Sequence, residues 1–308
     1  MKAVICTKYG MPEVLQMKEI EKPKPKDDEV LIKVYATTAH IGDTRIRKAN
    51  PFLARLVFGV FKPKKNLILG MEISGEIESV GKNVNSFKKG DKVFALTGFD
   101  LGGYAEYKCL PAKPKKGTFE KKGLVFLKPE NLSYQEAAAI PAGGLTALKN
   151  LQKANIHEGQ KILINGASGS LGTFAIQLAK YYGAEVTAVC SSENFDLASS
   201  IGADNVIDYR KEDFTKSNEK YDIVYDAMMK SNRSICKNIL KKNGIYLNNS
   251  QLSKIQEDDL FLLKRLAENN KLKVIVDKTY SINEIVEAHR YVDKGHKKGN
   301  VIITIGKL

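Results

Sequence analysis

Eight residues, N-G-A-S-G-S-L-G at positions 165–172, have the types and spacing to hold a phosphate. In a G-x-G-x-x-G turn the second glycine lets backbone approach a pyrophosphate, and the third lets the following helix pack close to the preceding strand. Ala167 stands at the first of these positions, Gly169 at the second and Gly172 at the third. The amides of Ser168, Gly169, Ser170 and Leu171 would then face an anion at the positive end of a helix. Past the next apolar run, EVTAVC, come Ser191 and Ser192. An acidic residue at that place holds the ribose hydroxyls of NAD, whereas hydroxyls donate to a 2′-phosphate, so the serines predict NADPH, with NADH the lesser fit. Glu193 argues the other way, and no arginine follows immediately.

For the turn to work, it must join a strand to a helix, and the surrounding pattern supplies both. From Lys161 onward KILING, a helical 170–182, EVTAVC, FDLASSIG, NVIDY, YDIVYDAM, SICKNILKK and GIYLNN alternate apolar strands with helical runs. That alternation predicts βαβ units and a parallel sheet, an α/β doubly wound domain. The first 130 residues instead read as short strands separated by turns, a mostly β module with a lysine-rich loop at PAKPKKGTFEKKG. Ser133 with Glu136 and Ser281 with Glu284 form capping boxes, and the closing GNVIITI is a strand that can rejoin the amino-terminal module. Ile282, Ile285, Val286 and Val292 share one face of a helix. The apolar KANPFLARLVFGVFKPK either covers a hydrophobic acceptor or packs as a core helix.

Composition bounds the rest. A chain of 308 residues with 43% hydrophobic and 27% charged residues suits a globular protein of about two domains. No run of about 18 apolar residues occurs, so no membrane partner is expected. The apolar start, Met1 to Cys6, is too short for a signal sequence, which places the chain in the cytoplasm as an expectation. Cys6, Cys109, Cys190 and Cys236 are scattered, without zinc-knuckle spacing. The net charge of +14 is spread along the chain among acidic residues and carries no nucleic-acid motif, so it reads as a solvated surface. His289 and His296 lack a third ligand nearby and read as surface or helix-end residues.

Taken together, MKAVICTKYG, DDEVLIKVYAT, LGMEISGEIESVGKNVNSFKKGDKVFA, GGYAEY, LSYQEAAAIPAGGLTAL, the glycine turn, GADNVIDY and EAHRYVDKGHKKGNVIIT resemble a zinc-independent medium-chain dehydrogenase/reductase of the quinone oxidoreductase-like group. The resemblance implies a GroES-like catalytic domain over 1–130, a Rossmann NADP-binding domain over 131–272, and a segment 273–308 that completes the catalytic domain. It places Thr146 beside the nicotinamide, the 168–171 amides on the pyrophosphate, and Ser191, Ser192, Asn194 and Tyr209 around the adenosine ribose. Asn248, Asn249, Lys298 and Asn300 would approach the cofactor as well. His40 and Asp43 would occupy the active-site turn, His40 donating a proton or orienting the substrate carbonyl and Asp43 acting as a hydrogen-bond acceptor. At the superfamily's zinc-ligand positions this chain has His40, Met71 and Ala142, and the four-cysteine lobe is missing, so no metal is expected. The implied activity is hydride transfer from NADPH to a quinone or an α,β-unsaturated carbonyl. An enoyl-thioester reductase is the second enzyme reading, and a nucleotide-sensing or RNA-binding relative is the reading outside catalysis. Only QLSKIQE separates GIYLNNS from DDLFLLKRL, where relatives carry a longer apolar stretch, which argues against the usual homodimer.

Overall fold

The computed structural model describes residues 1–115, 117–250 and 254–306. Lys116 of the lysine-rich loop and residues 251–253 of the shortened segment lie outside them. Two units form, as the texture of the sequence predicts. In the first, β1 (Lys2–Cys6) pairs antiparallel with β2 (Leu15–Glu19). The larger sheet is built on β3 (Glu29–Thr38), which pairs with β4 (Glu72–Val80) and β6 (Tyr107–Pro111). It continues from β4 through β5 (Lys92–Leu96) to β7 (Leu124–Leu127). Helices α1 (Ile41–Lys48) and α2 (Ala54–Phe58) follow β3, and α3 (Phe119–Lys122) precedes β7.

The capping box at Ser133 is present and starts α4 (Tyr134–Ala138); α5 (Ile140–Lys153) then begins with Pro141 in its first turn, where a missing amide costs nothing. The second unit is a five-stranded parallel sheet in the order β10-β9-β8-β11-β12. Its strands are β8 (Lys161–Asn165), β9 (Glu185–Cys190), β10 (Asn205–Asp208), β11 (Tyr221–Asp226) and β12 (Leu240–Asn248). Helix α6 (Ser170–Tyr181) connects β8 to β9, and α7 (Phe195–Ser200) connects β9 to β10. Because α6 packs between the sheet and α5, Phe174, Ile176 and Leu178 are all wholly buried, each worth about 1.5–3 kcal/mol. The helix expected at SICKNILKK does not form. Cys236 and Ile239, three apart, bury against β11 from a single 3₁₀ turn, and Leu240 already begins β12.

After α8 (Glu257–Glu268), the chain returns to the first unit: β13 (Val276–Ser281), α9 (Ile285–Asp293) and β14 (Asn300–Thr304), with β14 antiparallel to β3. His289 is wholly buried in α9, against the surface placement expected for it. Its Nε2 lies 3.0 Å from the Tyr104 hydroxyl, because position 289 falls on the same helical face as Ile285 and Val292.

Candidate active site

A cleft of about 690 Å³ lies between the two units, walled by the start of α1, by α5, by the glycine turn and by the loop after α9. At its nucleotide end the tight turn is made by Gly166, with φ of +83°, one residue before the expected position. Ala167 is thereby free to bury its methyl in the core. Gly172 is sterically required: a Cβ there would lie 2.3 Å from the Gly166 carbonyl oxygen. Gly169 is not crowded, since the nearest atom to a Cβ would be 3.5 Å away, so the space in front of it is a cradle that the protein itself leaves open. Gly169 caps α6 without a side-chain bond, and Gly169 to Gly172 line the cleft, so the first amides of α6 face it unpartnered by the helix. Ser168 is tied through its carbonyl to the Gly299 amide at 2.8 Å.

Around the end of β9, Asn194 donates to Ser191 Oγ at 2.9 Å and to Ser168 Oγ at 3.4 Å, while its buried Oδ1 has no partner. An unpartnered buried acceptor and an open cradle are what a ribose hydroxyl and a pyrophosphate would complete, so these residues fit a dinucleotide. Ser192 is exposed and its amide donates to Asp208. Tyr209 follows β10, half-exposed beside them. Sequence proximity missed the arginine. Because β10 pairs with β9, Arg210 reaches Glu193 at 2.8 Å, and Arg210 and then Lys298 hold the Glu193 carboxyl below its usual range.

At the other end of the cleft His40 caps α1. Its Nδ1 accepts the Gly42 amide at 3.0 Å, which leaves the proton on Nε2 of a ring that lines the cleft. Burial, then the positive charges of Lys297 and Arg45, push its pKa down to about 3. Of the two roles expected for His40, donating a proton or orienting the carbonyl, a ring held neutral suits the second, as a hydrogen-bond donor. Asp43 does not reach the cleft. It is fully buried and accepts from the His40 amide at 3.1 Å and the Gly70 amide at 2.8 Å, and burial pushes it up to about 7. It positions the turn, as an acceptor should.

Thr146 lines the cleft with its hydroxyl donating to Ala142 O at 2.7 Å. Of the two asparagines expected to approach the cofactor one lines the cleft, and the lysine before Lys298 lines it as well. Asn248 accepts from Ser250, while Asn249, held by Tyr225 and Asn150, faces the cleft. Lys298 is tied by its amide to Asp277 near the ribose end, whereas Lys297 lines the cleft, pushed down to about 8 by burial against the pull of Glu72 and Asp277. Asn300 is buried and accepts from Ser170 Oγ, so it braces the phosphate turn. Glu72, unremarked in the sequence, is fully buried and accepts from Thr38 and from the Ala142 amide, docking β4 on the start of α5.

The chain is similar in sequence and in fold to known proteins. A quinone-oxidoreductase, QR1, chloroplastic, from Triphysaria versicolor is 32% identical over 98% of this chain and 98% of its own length. The chain belongs to the medium-chain dehydrogenase/reductase family. The alcohol dehydrogenase GroES-like domain matches residues 26–116 and the zinc-binding dehydrogenase family matches residues 170–287. An NADPH-dependent alkenal/one oxidoreductase, chloroplastic, from Arabidopsis thaliana is 30% identical over 98% of this chain and 79% of its own length. The solved quinone oxidoreductase from Coxiella burnetii superposes with a TM-score of 0.85 at 28% identity, over 99% of each chain. This family member is an oxidoreductase with a nicotinamide-nucleotide site.

Zinc, named in the second family, does not fit the donor set. His40 Nδ1 is already an acceptor, Met71 offers only a thioether, beside Gly42, and Ala142 offers nothing. The cytoplasmic placement is corrected by the relatives: both plant proteins are named chloroplastic, so a short apolar start assigns no compartment. Among the described residues, no helix is long and apolar enough to cross a membrane.

Proposed function

We propose that this family member uses NADPH to reduce quinones and α,β-unsaturated carbonyls without a metal. The observation that carries the reading is one cleft holding both the open start of α6 and the neutral His40 donor. The names of the relatives, a quinone oxidoreductase and an NADPH-dependent alkenal/one oxidoreductase, support the acceptor class. When bound, a reduced nicotinamide supplies the hydride. The α6 amides would hold the pyrophosphate, and Asn194 Oδ1 would accept from the adenosine ribose. Arg210 and Lys298, with Ser191 and Ser192, would hold a 2′-phosphate. Met71, Leu145 and Met228 make an apolar wall for a flat acceptor. His40 Nε2–H donates to the acceptor oxygen, and this bond strengthens as negative charge develops there. Lys297, an ammonium below about pH 8, gives the proton and is reprotonated from solvent.

The test is NADPH and NADH oxidation by EDTA-treated protein against a panel of quinones and enones. The expected result is turnover with kcat/KM at least about tenfold higher for NADPH. Absence of turnover with both nucleotides, or dependence on added zinc, overturns the proposal.

A further inference from the structure

The stretch 52–61 neither forms a core helix nor lines the cleft. Phe58 turns into the amino-terminal core with Ala54 packed against it, and Pro63 is buried just beyond. Outward face Phe52, Leu53, Leu56, Val57, Val60 and Phe61, with Phe61 95% and Leu56 70% exposed. Leu56 and Val57 lie on the five-residue α2 and the other four flank it, so the apolar side chains gather around one short turn of helix. Six large apolar side chains within ten residues expose roughly several hundred Å², the upper end of what a monomer leaves bare. Charge accompanies them. Between Asp43 and Glu72 there is no acidic residue, while Lys62, Lys64 and Lys65 stand exposed beside the apolar side chains. The segment is pinned from behind by the Tyr9 hydroxyl donating to Gly59 O at 2.7 Å, and Arg55 packs over the Tyr9 and Phe52 rings.

We propose that this face docks the protein on the surface of an anionic bilayer. Aromatic and aliphatic side chains rimmed by lysines match the chemistry of an interfacial element, whose apolar face enters the headgroup and acyl boundary while its cations meet anionic lipids. A second copy is the poorer occupant, because a two-fold contact through this face would set its lysines against one another with no acid between. Docking needs no spanning helix and is independent of the catalytic reading.

Flotation of the full chain with phosphatidylcholine vesicles, with and without phosphatidylserine, tests the proposal. The expected result is recovery at least about fivefold higher with phosphatidylserine. Phe52→Ser/Phe61→Ser should lower it by at least about tenfold, with thermal unfolding unchanged. Lys62→Ser/Lys64→Ser should abolish the preference for phosphatidylserine. Three results overturn the proposal: no flotation, equal flotation of the phenylalanine variant, which would mean adsorption through the general positive charge, or a dimer in sedimentation that the phenylalanine variant dissolves.

Discussion

In the proposed reaction His40 serves because one of its ring nitrogens is already spent. With Nδ1 held by the Gly42 amide and the pKa held near 3, the ring presents one fixed donor at every physiological pH. His40→Ala should therefore lower kcat/KM by about 10²–10³ while the NADPH dissociation constant, read by fluorescence quenching, stays within about twofold. Lys297 differs, since it titrates within reach. Its ammonium is lost as pH rises through about 8, so kcat should fall above that pH by about tenfold per unit, and Lys297→Met should abolish this limb of the profile. An alkaline limb that survives in the variant would assign the proton to another group. Lys297 was not legible beside Lys298 because neither periodicity nor turn chemistry sets which of two adjacent lysines in a loop faces inward. Which of Asn248 and Asn249 faces inward was equally open, because at the end of a strand pairing stops constraining the alternation.

At the scale of elements, the glycine turn was legible because strand, turn and helix must coincide for a phosphate to bind. What the string could not show is which glycine serves the fold and which serves the ligand. Gly172→Ala forces a Cβ to within 2.3 Å of a carbonyl oxygen and should cost at least about 2 kcal/mol in denaturant unfolding. Gly169→Ala meets nothing nearer than 3.5 Å, so it should unfold within about 0.5 kcal/mol of the parent and yet bind NADPH at least about tenfold more weakly. Equal loss of stability in both variants would remove the distinction. Arg210 was illegible for a different reason. It is distant from Glu193 in sequence and meets it only because β9 and β10 lie side by side. If the pair gives way to a 2′-phosphate, Arg210→Ala should raise the KM for NADPH by about 10–100-fold and leave that for NADH unchanged.

Across the whole molecule, the carboxy-terminal segment locks the two units together, and its strand pairing was readable in GNVIITI, whereas its buried charges were not. Arg47, wholly buried in α1, pairs with Asp293 at the end of α9, and His289 lies between that pair and Tyr104. Four groups near this junction have displaced titrations that oppose one another. Asp43 and Glu72 are each raised to about 7, so the folded chain keeps their protons where the unfolded chain has released them, and their contribution to stability is lost as pH rises towards 7. His40 and His289 are held near 3, so the unfolded chain binds protons that the folded chain refuses, and stability is lost as pH falls below about 6.5. Between about pH 5 and 6 two protons gained cancel two refused, and urea unfolding should give a nearly flat stability profile. His289→Gln removes one of the refused protons. Its stability should then fall with rising pH across this window by about 1.4 kcal/mol per unit, whatever constant cost the substitution adds. A variant profile as flat as the parent's would mean that His289 titrates normally and that the buried junction with Tyr104 and Arg47 does not hold it neutral.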